Sequence, residues 1–230
     1  RSYGTTAAVR NPYSNIILIK NTDGPKGYAY NFTVSLEKQI KNGLQFNAAY
    51  TYGNSVARNE ATSSVNTSNW SFMETISGRN NLQRTTSDFS LGHRIYALAS
   101  KKFTYANKHA ATTITLSYNG QSGNPYSYVY TGGLVGDGVF GNDLIYVPKD
   151  RAEMDLMTFV NTTTNVNGAT VIVTPTQQKD DLESFLQGDK YLSKRRGQYA
   201  ERNGARLPFT NILDFSIAQD FMVKTGNTTH

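Results

Sequence analysis

Residues 28–53, YAYNFTVSLEKQIKNGLQFNAAYTYG, constrain the fold more than any other stretch of the chain. Their even positions read Tyr28, Tyr30, Phe32, Val34, Leu36, then Leu44, Phe46, Ala48, Tyr50 and Tyr52. Their odd positions read Ala29, Asn31, Thr33, Ser35, Glu37, then Gln45, Asn47, Ala49 and Thr51. A period of two puts one set on each face of a strand, so the stretch reads as strands 28–40 and 44–56 with one apolar and one polar face. Asn42-Gly43 lies between them, and both residues tolerate positive φ, which makes a tight hairpin. The apolar set stays on one face of both arms, so the register is consistent.

The pattern returns downstream. A second pair is expected at 88–105 and 109–123, with Thr112, Ile114, Leu116 and Tyr118 opposing Thr113, Thr115, Ser117 and Asn119. Its first arm leaves its face open, because Tyr96 and Leu98 alternate against Ile95, Ala97 and Ala99. A last strand is expected over 209–223, with Leu213, Phe215, Ile217 and Phe221 against Asp214, Ser216 and Asp220. Lys224 to Asn227 then turns, and a partner strand is expected to begin at Thr228-Thr229-His230. Shorter β-like runs are Ile16 to Lys20, "NDLIYVP" and "TVIVTP". Residues 57–87 read as loop. One helix is expected near 176–187, where Leu182, Phe185 and Leu186 fall at i, i+3, i+4.

Two properties of this map set the chain apart from an ordinary soluble domain. Its strands run to about thirteen residues, where roughly 5–6 is usual. Short turns gather at one end of the sheet and long loops, 57–87 and 131–208, at the other. That is the layout of an outer-membrane β-barrel, whose strands need about 9–11 residues to cross the hydrocarbon. Hydrophobic residues are only 38% of the chain and mean hydropathy is -0.50, so no transmembrane helix is expected; alternating strands never score as hydrophobic overall. Tyr28, Tyr52 and Tyr118 at strand ends fit an interfacial aromatic girdle. An antiparallel sandwich alternates in the same way, but it must cover the Tyr28/Phe32/Leu36 face with a second sheet.

The chemical motifs are sparse. There is no cysteine, so no disulfide or thiolate metal site is available. "GDGVFG", residues 136–141, fits G-x-G-x-x-G but precedes "NDLIYVP" rather than a helix, so the helix N-terminus that would hold a pyrophosphate is missing. Asp137, Asn142 and Asp143 are weak candidates for a calcium loop, because hard cations take clustered oxygens. His93, His109 and His230 are too far apart in sequence for a local metal motif. Lys194, Arg195, Arg196, Arg202 and Arg206 make the one basic spot, open to two readings: a nucleic-acid patch, or a loop pinned to acidic neighbours. Net charge is +6 but spread along the chain. No nucleophile elbow occurs, and no enzyme or cofactor is expected.

The strings "TTSDFSLGHRIYALASKKFTY", "TITLSYNGQSGNPYSYVY", "GDGVFGNDLIYVPKDRAEM" and "KYLSKRRGQYAERNGARLPFTNILDFSIAQDF" resemble the C-terminal barrel of TonB-dependent outer-membrane receptors. The resemblance is to the Oar-like branch of Bacteroidota, whose members carry a carboxypeptidase-regulatory-like domain at their N-terminus. It implies a 22-stranded barrel filled by an N-terminal plug, importing a bulky ligand (glycan, peptide or siderophore) with energy passed through TonB. Where relatives carry an acidic and an amide residue before "GDG", this chain has Gly133 and Val135, which weakens the calcium reading.

The expectation is therefore an all-β chain: a partial transmembrane antiparallel barrel of about six long meander strands, open and curved in isolation, with long extracellular loops. It reads as a single internal piece of the barrel domain, 1–230, without plug or signal peptide, in the outer membrane. Tyr28, Tyr30, Phe32, Val34, Leu36, Leu44, Phe46, Tyr50, Leu213, Phe215 and Ile217 are expected to face lipid. Tyr126, Tyr128 and Tyr130 are expected at the extracellular mouth, stacking on a sugar or peptide, with girdle or loop packing as the other reading of the same rings. The expected partners are outer-membrane lipid, the plug and remaining strands, and the TonB complex, with no nucleic acid. The alternatives are a soluble or surface sandwich that binds glycan or matrix, and a passive porin.

Overall fold

The computed structural model describes residues 2–3, 16–18, 20–22, 24–222, 224–225 and 228–229. The chain is mostly β with few helices, and its main sheet is antiparallel and open. It divides into two compact units: a sheet unit, Gly27–Val56, Thr86–Pro125 and Arg206–His230, and a loop unit, Arg1–Lys26, Ala57–Thr85 and Tyr126–Ala205.

The sheet unit holds five long strands: β1 Tyr28–Ile40, β2 Leu44–Ala57, β3 Gly92–Tyr105, β4 Ala110–Gln121 and β5 Thr210–Phe221. They pair in the order β5-β4-β3-β2-β1. The β1–β2 turn sits on Asn42 (φ 81°) and Gly43 (φ 74°), the left-handed pair that Asn-Gly supplies most readily. The β3–β4 turn needs three successive positive φ values, at Ala106, Asn107 and Lys108, closed by the His109 amide donating to the Ala106 carbonyl at 2.9 Å.

Register carries the β1 pattern across every strand. Val34, Tyr50, Ile95, Gly120 and Asn211 form one cross-strand row; Leu36, Ala48, Ala97, Tyr118 and Leu213 form the next. Then come Lys38, Phe46, Ala99, Leu116 and Phe215, followed by Ile40, Leu44, Lys101, Ile114 and Ile217. Ile95, Ala97 and Ala99 thus join the apolar face, and Tyr96 and Leu98 the polar one, which settles the arm that periodicity left open.

Several expected boundaries move. β3 starts at Gly92 rather than 88, because residues 87–90 close a turn in which the Ser90 amide donates to the Ser87 carbonyl at 3.0 Å. Gly92 itself has φ 70°, and a Cβ there would meet Ser122 Oγ at 2.7 Å. Among the described residues the long strands number five rather than six, the run at 16–20 showing there only Ile16–Ile17, paired with Ser2–Tyr3. Ile19 lies outside the described residues. At the other end Lys224–Thr225 pairs with Thr228–Thr229, while residues 226 and 227 of the expected turn, and His230, lie outside them.

The loop unit is more structured than expected. Residues 57–87 carry a short helix, α1 Asn66–Ser71. The 131–208 stretch holds two α-helices, α2 Arg151–Asp155 and α3 Pro175–Gly188, instead of one. α2 is set by Asp150, whose carboxylate accepts the Glu153 amide at 3.0 Å, a cap visible in the sequence as Asp-x-x-Glu. Thr174 caps α3, and Pro175 takes its first turn, where no amide is needed. Between them Thr162–Val166 and Ala169–Val173 form a hairpin across Asn167-Gly168. Val147, Met154, Leu186, Leu192 and Ala200 make a dry core, with Tyr128, Ile145, Met157, Phe159, Leu182 and Tyr191 packed around it.

Candidate functional site: an exposed apolar sheet face

The residues that alternation assigns to the apolar face of the sheet are uncovered. Tyr28, Tyr30, Phe32, Val34, Leu36, Phe46, Tyr50, Leu213, Phe215 and Ile217 are each between 40% and 67% exposed, and Leu44 is half-buried. Five strands 4.8 Å apart and about 40 Å long present a face of roughly 1,000 Å². The largest apolar patch of a typical soluble monomer is about 300–600 Å². Within this face many side chains are ordinary core residues, Phe, Val, Leu and Ile, and among the described residues of the unit no second sheet covers them.

Its two ends differ. At the end away from the short turns, rings form a band over three strands. Tyr28 stacks on Tyr30 at 6.3 Å, Tyr30 meets Tyr52 at 6.2 Å, and Tyr52 meets His93 at 4.9 Å. Tyr50 Oη and His93 Nδ1 share a hydrogen bond of 2.7 Å. Tyr118 donates to Asn211 Oδ1 at 2.7 Å and lies over Gly120, covering the backbone that the missing side chain leaves bare. At the turn end Lys101 Nζ donates to the Asn42 carbonyl at 2.5 Å and sits 5.7 Å from the Phe103 ring. Thr112 and Tyr105 both donate to Gln219 Oε1, at 2.6 and 2.9 Å.

The opposite face is a lattice of hydroxyls and amides. Thr33 pairs with Thr51 and Ser100 with Thr115, each at 3.0 Å; Arg94 Nε donates to Asn119 Oδ1 at 3.3 Å, and Lys102 pairs with Asp220 at 2.9 Å. An uncovered apolar face backed by a polar one is the reverse of a sheet that folds around its own core in water.

In the loop unit the three tyrosines proposed for ligand stacking are half-buried and engaged with the protein. Tyr128 donates to Asp189 Oδ2 at 2.5 Å, shares a hydrogen bond with Tyr126 at 3.0 Å, and stacks parallel to Tyr191 at 6.5 Å. Burial, then the hydrogen bond to Asp189, pushes its hydroxyl far above the ordinary tyrosine value. Burial also opposes ionisation of Asp189, but the Leu192 amide, the Tyr128 hydroxyl and the Tyr191 amide outweigh it and hold the carboxyl below its usual range. Tyr130 Oη accepts the Tyr146 amide at 3.1 Å. These contacts engage Tyr128 most fully, on Asp189, Tyr126 and Tyr191, whereas the hydrogen bonds of Tyr126 and Tyr130 run to Tyr128 and to the Tyr146 amide.

The polar side chains of the Gly/Asp loop bond to backbone of that loop and of the 57–87 stretch. Asp137 accepts the amides of Val139 at 3.0 Å and Arg79 at 3.2 Å. Asp143 accepts those of Leu134 and Val135, and Asn142 Nδ2 donates to the Ser71 carbonyl at 3.2 Å. Asn142 and Asp143, adjacent in sequence, thus serve different loops. Residues 142–147 after Gly141 form no helix. Among the described residues no three His, Cys, Asp or Glu side chains form a metal-ligand set.

The basic spot is tied into the chain. Arg196 grips Glu183 with both nitrogens, at 2.7 and 3.0 Å, and holds the carboxyl of Glu183 below its ordinary range. Arg195 pairs with Glu201 at 3.1 Å. Arg202 is fully buried, donating to the carbonyls of Ala57 at 2.6 Å and Arg58 at 2.8 Å and to Thr85 Oγ1 at 3.0 Å, with Glu60 3.8 Å away. In the sheet unit Arg206 donates to the Ser90 carbonyl at 3.0 Å. These contacts fit the self-pinning reading. His93 and His109 stand apart, His109 Nδ1 lying 3.2 Å from the Met222 carbonyl.

Sequence reasoning placed Arg202 in the basic spot without its burial, and did not single out Asp189 or Glu60. An arginine in a basic run gives no sign that it will be buried; only its long-range carbonyl partners show it. Among the described residues no helix is long and apolar enough to cross a membrane, a criterion that does not address strands. No family model matches the chain, and neither a curated protein nor a solved structure matches it.

Proposed function

We propose that the sheet unit is a segment of the wall of a transmembrane β-barrel in the outer membrane, its Tyr/Phe/Leu face toward lipid and its Thr/Ser/Asn face toward a watery lumen. The observation that carries this reading is the uncovered apolar face, continuous in register over five strands. The strands are 12 to 14 residues long. At 3.3 Å per residue and a tilt of about 40° they span roughly 30–35 Å, the thickness of a bilayer's hydrocarbon. The ring band over β1–β3 supports the same reading, since tyrosines gather where hydrocarbon meets headgroups.

Within that reading the protein is a TonB-dependent receptor of the Oar-like branch, a transporter rather than an enzyme. Further strands and a plug complete the barrel, because an open five-stranded sheet cannot enclose a lumen. The long loops are extracellular and meet a bulky ligand there; with Tyr128 engaged in packing, Tyr126 and Tyr130 are the rings left for contact. Alanine at those two positions lowers ligand affinity if they serve this role, and unchanged affinity removes it.

Membrane placement is tested by a pair of neighbours on β1. Val34→Arg puts a cation on the lipid face near mid-strand and is expected to cost about 2–4 kcal/mol of membrane insertion. Ser35→Arg, on the lumen face, leaves insertion within about 0.5 kcal/mol. Equal penalties at the two positions contradict the reading and favour a sandwich whose second sheet comes from another chain.

A further inference from the structure

On the apolar face the ionisable side chains are not scattered. The strand carboxylates Glu37, Asp214 and Asp220 all fall on the polar face by register, and Asp220 is paired there with Lys102. The apolar face carries Lys38 and Lys101, both in the half nearest the short turns: Lys38 is level with Phe46 and Ala99, Lys101 with Ile40 and Leu44. The turns add Lys41 and Lys108 at the same end. Lys101 reaches the Asn42 carbonyl, so its ammonium stands beside the turn that bears Lys41. Lys38 and Lys41 are exposed, and Lys101 is half-buried with its stem along apolar neighbours. The opposite end of the same face shows rings and a histidine instead.

We propose that Lys38 and Lys101, with Lys41 in the turn, form a binding site for the phosphates of anionic phospholipid headgroups in the leaflet at the turn end of the sheet. This rests on the lipid-facing reading of the sheet. A lysine at the edge of a hydrocarbon face lays its stem on apolar surface and lifts its ammonium to headgroup level. No carboxylate shares that face by register, so the charge to be met is the lipid's. The pattern complements a phosphate-rich, negatively charged surface, and each lysine near such a surface strengthens binding roughly fivefold.

The test is cosedimentation of the full chain with vesicles of phosphatidylcholine alone and of phosphatidylcholine with about one-fifth phosphatidylglycerol. Binding to both is expected, tighter with phosphatidylglycerol, with most of that increment lost in Lys38→Gln/Lys101→Gln and retained in the charge-matched Lys190→Gln/Lys194→Gln. Acetylation read by mass spectrometry is expected to find Lys38 and Lys101 protected only in the anionic vesicles. No binding to either vesicle overturns the membrane reading itself. Equal binding to both, or an increment that survives the Lys38/Lys101 exchange, overturns the headgroup site and leaves the membrane reading standing. An increment abolished by tens of millimolar inorganic phosphate assigns the lysines to free anions instead of lipid.

Discussion

The loop unit and the sheet unit solve opposite problems with one amino-acid vocabulary. In the loop unit Met154, Leu186 and Leu192 are fully buried, and the charged groups that come with them are paired: Arg202 on backbone carbonyls, Arg196 on Glu183, Asp189 on Tyr128. In the sheet unit Phe32, Leu36, Phe215 and Ile217 each stand more than 60% exposed while threonines and serines pair on the other face. The first arrangement is stable in water. The second is stable where something apolar covers the exposed side, which the proposed reading assigns to lipid. The difference shows that burial is a statement about the surroundings a face is built for, not about residue type alone.

The largest expected break of this contrast lies in the loop unit. Arg202→Met strips the Ala57 and Arg58 carbonyls of their donor and removes the cation beside Glu60, which is expected to cost about 3–5 kcal/mol in urea unfolding of that unit. Tyr128→Phe keeps the ring and removes the hydrogen bond to Asp189; a loss of about 1.5 kcal/mol is expected, at the low end for a bond to a charged acceptor because the site is half-buried. Acid provides a finer test. Glu183 and Asp189 have carboxyls lowered in the folded state, so their contribution is fully present above the unfolded carboxylate range near pH 4 and is lost as pH falls through their lower folded values. Thermal unfolding below about pH 4 is therefore expected to weaken the loop unit, and Glu183→Gln flattens that slope. The smallest effect is expected in the sheet unit, where Lys102→Ala breaks an exposed pair with Asp220 at a cost below about 1 kcal/mol.

How much of this was legible in the sequence follows from the range of each interaction. β1 matched its expected span, and Asn42-Gly43 its turn, because alternation and turn chemistry are local. The face of β3 was not legible: Ile95-Tyr96-Ala97-Leu98 alternates apolar with apolar, and only pairing to Tyr50 and Tyr118 decides it. α2 was missed although Asp150 and Glu153 carry its cap, because five residues are too few for a periodic signal. The fate of Tyr128 was unreadable for a different reason. Its partners Asp189 and Tyr191 lie some sixty residues downstream, beyond the reach of any local pattern.

The most direct test of the lipid-facing sheet is a scan of single spin labels along β1, from residue 32 to 37, in the chain reconstituted into vesicles. Collision rates with oxygen, which concentrates in hydrocarbon, and with a water-soluble nickel chelate are read at each site. The account predicts a period of two: labels at 32, 34 and 36 favour oxygen, and those at 33, 35 and 37 favour the chelate. Even positions shielded from both reagents, or as open to the chelate as the odd ones, contradict it.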